Sequence, residues 1–414
     1  MAADYGLFQA CGIEIEYMLV DSESLSIRPA ADRALEILAG EPSQEVLRGE
    51  FCWSNELALH VIEIKTAEPA RSLTGLGSRL AEEIHLVDRM LQDALGLRLM
   101  PTGMHPWMDP RKESALWPHE NNEIYEAYNR IFGCQGHGWT NLQSVHLNLP
   151  FSNDEEFGRL HAAIRLVLPI LPALAASSPL IEGEHRGFLD QRLEVYRHNQ
   201  DRVPLITGRV IPDSVDSPLD YQSSILQPMY AQIAPLDPEG ILQEEWLNSQ
   251  GAIARFERNT IEIRLLDAQE SPVMDLAIAE LAIAAIRGLV EEKDLSWEFQ
   301  TLWPTETLAG LLEDCLRLAD QTPVNQSAYL NCFGISSNQP INALEVWRQL
   351  AWKLSNQGLL STEAMEALGL IFHEGCLARR ILNALQGDFS HSRIMAVYQQ
   401  LCECLENRQP FCLR

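Results

Sequence analysis

The chain has 414 residues, enough to bury a large core in one large domain or two. Lys and Arg total 31 against 58 Asp and Glu, a formal net charge of −27, which argues against general binding to nucleic acid or an anionic membrane. No apolar run approaches the ~18–20 residues of a membrane-spanning helix, and no basic-then-apolar leader opens the chain, so neither a membrane segment nor a signal peptide is expected.

Residues 12–21, GIEIEYMLVD, alternate in polarity. Ile13, Ile15, Tyr17 and Leu19 share one face, and Glu14 and Glu16 share the other. A half-buried strand would hold these two carboxylates roughly 7 Å apart at Cα. Like charges that close need a positive partner. Residues 56–66 read as a second strand, in which Glu63 and Lys65 lie together opposite Ile62 and Ile64. Residues 73–95 carry apolar positions at helical spacing. In TGMHPW, His105 either contacts a substrate or braces the turn before Pro106. GCQGHGWTN brings Gly133, Gly136 and Gly138 together, as a phosphate cradle or as a flexible loop. Cys134 within it reads as a bystander.

Residues 143–151 predict a third strand, with Ser144, His146 and Asn148 opposite Val145, Leu147 and Leu149. Residues 155–176 predict a helix interrupted near Pro169 and Pro172. Residues 177–250, rich in Pro, Gly, Asp and Ser, read as long ordered loops that carry Arg186, Arg192, Arg197, Arg202 and Arg209. Residues 253–267 predict a fourth strand, with Arg258, Thr260, Glu262 and Arg264 opposite Ile261, Ile263 and Leu265. A strong helix follows, with Ser271 as N-cap and Pro272 in its first position. Residues 295–414 read as several amphipathic helices. The nine cysteines are odd in number and form no CxxC pair, which suits free thiols in a reducing cytosol. The expected fold class is α+β: a mainly antiparallel β-sheet with helices on one face, and a helical C-terminal part packed on it.

One alternating strand is what any half-exposed sheet shows. Four strands whose polar faces collect Glu14, Glu16, Glu63, His146, Glu262 and Arg264 point further. Hard divalent cations take carboxylate oxygens, and Mg²⁺ or Mn²⁺ tolerates an imidazole. Such ions bridge nucleotide phosphates, and nearby arginines neutralise a phosphoryl group in transfer. No GxxxxGK[ST] loop and no GxGxxG after a strand is present.

In chain order, GIEIEYMLVD, ELALHVIEIKT, PTGMHPWMDP, SVHLNLPF, LPALAASSPLIEG and TIEIRLLD resemble motifs of the glutamate–cysteine ligases and their carboxylate–amine ligase relatives, specifically the type 2 branch. The resemblance covers roughly residues 12–290. It implies the curved catalytic sheet shared with glutamine synthetase and the guanidino kinases, with the metal and ATP site on the face opposite the helices. It implies a catalytic region, 1–294, and a helical region, 295–414. It also implies a reaction in which ATP phosphorylates the γ-carboxylate of glutamate and cysteine or another amine attacks the acyl phosphate. Two or three Mg²⁺ ions would be held by Glu14, Glu16, Glu56, Glu63, His146 and Glu262. Arg264 would contact the phosphoryl group or a substrate carboxylate, Lys65 would join Arg264 at the nucleotide, and Arg192 and Arg209 are further anion contacts. Partners are then small molecules, and the C-terminal helices offer a face for a homo-oligomer. Glu56 and Glu63 are seven apart, so a regular strand would set them on opposite faces; a bulge or a strand start near Asn55 is needed. Ser144 stands where type 2 relatives commonly have the first His of H-V-H. Two other readings use the same residues: a phosphotransferase acting on an amine or guanidine, and a non-catalytic, metal-stabilised protein that binds amino acids.

Overall fold

The computed structural model describes residues 5–120, 122–337 and 339–412, so the outermost residues of the two expected regions lie outside it. An eight-stranded sheet forms its centre: β1 (Gly12–Asp21), β2 (Glu45–Arg48), β3 (Phe51–Asn55), β4 (Val61–Thr66), β5 (Leu97–Met100), β6 (Ser144–Pro150), β7 (Ala252–Arg255) and β8 (Thr260–Asp267). The order across the sheet is β2-β3-β4-β1-β6-β8-β7, and every pairing is antiparallel. β4 pairs with one edge of β1. β6 takes the other edge over Gly12–Ile15, and β5 takes it over Met18–Asp21.

Alternation places Ile13, Ile15, Trp53, Ile62, Ile64, Val145, Leu147, Ile261 and Ile263 in one buried cluster. Three helices cover that face with their apolar stripes: α1 (Leu76–Leu95), α3 (Asp154–Val167) and α4 (Pro272–Val290), while α2 (Asn122–Phe132) borders the opposite face. The cluster continues to Leu405, so residues on both sides of position 294 share it. The second face is closed over the far half of β1. There α5 (Leu377–Leu385) and α6 (His391–Asn407) pack Leu377, Ile381, Ile394 and Tyr398 onto Met18, Val20 and Met100. Buried Arg380 of α5 donates to Glu270 at 2.6 Å and to the Phe411 carbonyl at 2.6 Å, which ties the C-terminal segment to the loop before α4. Only the first half of β1 therefore keeps an open polar face.

Several elements differ from the sequence expectation. The strand expected over 56–66 is β4 alone. β3 ends at Asn55, and residues 56–60 turn before Val61, whose N–H bonds the Ala58 carbonyl at 2.9 Å. The strand expected over 253–267 is a hairpin, β7 and β8. A short 3₁₀ turn at Phe256–Arg258 and Asn259 at φ +51° join them, a left-handed conformation that asparagine tolerates. Residues 177–250 contain a helix at Gln191–Tyr196 and a helical run from Pro218 to Ile233. Ser271 occupies the N-cap of α4 in extended backbone but makes no side-chain cap bond; the Asp275 carboxylate instead accepts from Gln269 N–H at 2.8 Å.

Candidate active site

Antiparallel register assembles the polar face. Glu14 stands opposite Lys65 on β4 and opposite His146 on β6. Glu16 stands opposite Glu63, Glu63 opposite Ser54, and Asn148 opposite Glu262. The Glu14 carboxylate lies 3.2 Å from His146 Nδ1 and accepts from Asn148 Nδ2 at 3.0 Å. Glu16 accepts from the backbone N–H of Ser144 at 2.8 Å and from its hydroxyl at 3.0 Å; that hydroxyl is 2.9 Å from His146 Nε2. Ser144, the departure from H-V-H, thus braces both Glu16 and His146. Glu63 accepts from Ser54 at 3.0 Å, with Lys65 Nζ 3.7 Å away. Glu262 pairs with Arg255 at 3.0 Å and with Arg264. Glu56, in the turn after β3, arrives without any bulge, because β3 stops one residue earlier.

Ligand atoms of Glu14, Glu63 and His146 lie within 4.8 Å of one another, and so do those of Glu16, Glu56 and Glu63. Glu63 belongs to both groups. Burial would push the Glu14 carboxyl up, but the hydrogen bond and charge of His146 outweigh it and hold it below the usual range. Glu262 behaves alike: burial opposes ionisation, yet Arg264, His146 and Arg255 bring it down to about 2. Burial and the Glu16 charge push Glu56 up to about 8. Burial, Glu14 and Glu56 carry Glu63 well above its ordinary value. Burial disfavours the His146 cation, but the surrounding glutamates raise its pKa. Glu56 and Glu63 are thus undercompensated, whereas Glu14 and Glu262 are not. This donor set, oxygen-rich with one imidazole, suits a hard divalent cation between the strands.

These residues line a cleft of about 730 Å³ that also takes in Lys65, Arg192, Arg258 and Arg264. A second opening of about 400 Å³ continues from Glu14, Glu45, Lys65 and Arg258 toward Tyr5 and Asn148. The arginines diverge in role. Arg264 faces the cleft beside Glu262. Arg192 is buried, pairs with Asp267 at 3.3 Å and donates to the carbonyl of Arg264 at 2.8 Å, so it holds the backbone of β8. Arg209 is not brought to the cleft; it is exposed and pairs with Glu313 at 3.1 Å and Glu306 at 3.3 Å. Its loop runs across the helix that bears those glutamates. Arg258, expected on the strand face, sits in the β7–β8 turn and still lines the cleft.

His105 braces its turn. Its Nε2 lies 2.8 Å from the Leu25 carbonyl, and its Nδ1 accepts from Met108 N–H at 3.0 Å. Burial lowers its pKa to about 3. Cys134 is buried, which pushes its thiol up to about 12. Sequence reasoning missed an aromatic wall made by Tyr125 and Tyr128 of α2, Trp139, Tyr196 and Trp246. A signal existed for part of it: Tyr125, Tyr128 and Phe132 are spaced i, i+3, i+7 on one helical face.

An open antiparallel sheet with a carboxylate-rich face and helices behind it is the architecture of a class of ligases. A glutamate–cysteine ligase from Francisella tularensis, solved in complex with AMP, superposes with a TM-score of 0.60 at 12% identity, covering 97% of this chain and 90% of that one. A bifunctional glutathione synthetase from Pasteurella multocida gives a TM-score of 0.57 at 14% identity over 97% of this chain and 52% of its own. A sequence profile of glutamate-cysteine ligase family 2 (GCS2) matches residues 10–400, and the chain belongs to that family. An uncharacterized protein of Archaeoglobus fulgidus is 32% identical over 97% of this chain and 99% of its own length. A Corynebacterium efficiens protein, provisionally named glutamate–cysteine ligase 2-1, is 26% identical over 71% of this chain and 70% of its own. The protein is thus a glutamate–cysteine ligase-like carboxylate–amine ligase. Among the described residues no helix is long and apolar enough to cross a membrane.

Proposed function

We propose that the protein joins the γ-carboxylate of glutamate to an amine at the expense of ATP, through a γ-glutamyl phosphate. The observation that carries this reading is the pair of ligand groups sharing Glu63, flanked by Arg264 and Arg255 on one open sheet face. Glu14, Glu63 and His146 would hold one Mg²⁺, Glu16, Glu56 and Glu63 a second, and Glu262 lies 3.9 Å from His146 to complete the set. Mn²⁺ suits the same donors. Bound there, the cations would neutralise phosphate charge and draw donor and acceptor oxygens together.

A γ-carboxylate oxygen attacks the terminal phosphorus of ATP, and ADP leaves. The amine nitrogen then attacks the acyl carbon; a C–N bond forms, the C–O bond to phosphate breaks, and the amine releases a proton. Arg264, held on β8 by Arg192, is placed to offset charge on the transferring group. Lys65 and Arg258 line both openings at Glu14, which favours the phosphates of the nucleotide at that end. Cysteine is the first acceptor to test, given the family's name.

The experiment is ADP release with Mg²⁺, glutamate and an amine panel, followed by mass spectrometry of the products. A γ-glutamyl amide with stoichiometric ADP supports the reading. A phosphorylated amine would assign a phosphotransferase instead, and no ADP with any mixture would leave a binding protein. Glu262→Gln is expected to abolish Mg²⁺-dependent turnover with the fold intact.

A further inference from the structure

Resting on the ligase reading above, we propose that the acceptor is an aromatic amine, an arylalkylamine or aromatic amino acid, seated against the wall of Tyr125, Tyr128, Trp139, Tyr196 and Trp246. Tyr128 packs ring to ring with Trp139 and Trp246, and Tyr125 and Tyr196 line the same cleft. Tyr128 lies 5.1 Å from Trp139 and 5.9 Å from Trp246 between ring centroids, and Phe132 stacks on Trp139 at 5.7 Å. Tyr125, Trp139, Tyr196 and Trp246 are all only partly buried, although each lines a polar cleft. Aromatic surface left facing water gains by being covered, and rings prefer tilted or offset partners of their own kind. The wall adjoins the acid groups where the amide bond would form, since Glu16, Glu56 and Glu63 line the same cleft.

Size points the same way. The side chain of cysteine ends one atom beyond its β-carbon and would touch little of this wall. The cleft measures about 730 Å³. Behind Trp139 a further cavity of about 530 Å³ shares Gly138, Trp139 and Asn199 with it. Trp139 is fixed between the two: its Nε1 donates to the Asn199 carbonyl at 3.1 Å, and Asn199 Nδ2 donates to the Gly138 carbonyl at 2.9 Å. A Cβ at Gly138 would meet Asn199 Cβ and the Val195 carbonyl at 2.8 Å, so only glycine permits this approach. The ring is therefore presented by a built support rather than by a loose loop.

The reaction is the one above, with the nitrogen of the aromatic amine as nucleophile: glutamate, ATP and amine give the γ-glutamyl amide, ADP and phosphate. The test uses the full chain with Mg²⁺, ATP and glutamate. Hydroxylamine, a small nucleophile, reads the ligase step alone; absence of both ADP and hydroxamate overturns the ligase reading itself. Tyramine and L-phenylalanine are then compared with L-cysteine and L-2-aminobutyrate. At least one aromatic amine is expected to exceed cysteine in kcat/KM by about tenfold or more. Cysteine leading the panel while hydroxamate forms overturns the aromatic acceptor and spares the ligase. Trp246→Ala is expected to lower the tyramine-to-hydroxylamine ratio of kcat/KM by about tenfold, and Trp246→Phe to restore it. Calorimetric titration of tyramine, with Mg²⁺ and glutamate present, should show the same loss in affinity. If Trp246→Ala raises the KM for ATP and leaves that ratio unchanged, the wall belongs to the nucleotide base and the proposal fails.

Discussion

Glu63→Gln separates the two demands placed on the acid cluster, stability without cations and binding of them. Glu63 is buried, and its ligand atoms approach those of Glu14, Glu16 and Glu56 within 4.8 Å. At an effective dielectric of about 20, each such like-charge pair is worth about 3.5 kcal/mol of repulsion. Lys65, 3.7 Å away but partly solvent-exposed, offsets only one of the three neighbours. The metal-free protein can relieve the rest by protonating Glu63, whose pKa burial and Glu14 raise, so the stability recovered by an uncharged glutamine is at most the cost of that protonation at pH 8, about 5 kcal/mol against an unfolded carboxyl at about 4.3. With an unfolding entropy of about 2.1 cal/mol/K per residue, that bounds the Tm rise at roughly 6 °C for this chain. Mg²⁺ at about 100 times its Kd would stabilise the native wild type by ~2.7 kcal/mol per site. The assay is thermal unfolding at pH 8, with EDTA and then with a Mg²⁺ series. The variant should melt higher than wild type in EDTA, and wild type should gain more from Mg²⁺. A variant that melts lower in EDTA, or gains as much from Mg²⁺, would refute the placement of a cation between these carboxylates.

His161 has no hydrogen-bond partner at either ring nitrogen, and burial, with the Arg165 charge, lowers its pKa to about 3. Its folded pKa lies below the unfolded value of about 6.5, so its stabilisation is present above that value and declines as pH falls. Removing the imidazole in His161→Leu should therefore shift the stability difference by about 1.9 kcal/mol in the variant's favour between pH 7 and pH 5, measured by urea unfolding; a constant difference would contradict a neutral buried ring. Arg380→Met should cost about 3–5 kcal/mol in the same assay, because Glu270, fully buried, loses its partner, and adding Glu270→Gln should restore at least half. Arg209→Ala should change kcat/KM by less than about twofold, since its exposed pairs with Glu306 and Glu313 contribute ~0–1 kcal/mol and lie outside the cleft; a tenfold loss would return Arg209 to the site.

Much of the sheet was legible because period-two alternation survives in the text. β1 and β6 sit within one residue of their expected ends. The polar face followed from the same alternation once four strands were compared. The hairpin at Asn259 was hidden because the alternation of residues 260–265 was carried back through Glu257–Thr260, four consecutive polar residues that, with the left-handed Asn259, mark the reversal. β3 was missed, and with it Ser54 and the reason Glu56 reaches Glu63. Arg192 and Arg209 look alike in sequence, two arginines in polar loops. Their roles diverge because one is swallowed beside Asp267 and the other stays at the surface, a difference set by tertiary packing. The aromatic wall draws on α2, the short helix at His137–Thr140, the end of the helix at Gln191–Tyr196 and the 3₁₀ turn at Glu245–Leu247, so no local pattern could have joined Tyr125 to Trp246.

The central claim is that the γ-carboxylate of glutamate becomes phosphorylated. Glutamate carrying ¹⁸O in both γ-carboxylate oxygens tests it directly, with Mg²⁺, ATP and an amine that supports ADP release. Mass analysis of the inorganic phosphate should find one ¹⁸O transferred per phosphate formed, and one ¹⁸O retained in the amide. ADP release with unlabelled phosphate would contradict the acyl-phosphate route and with it the role assigned to the carboxylate-rich face of β1, β4, β6 and β8.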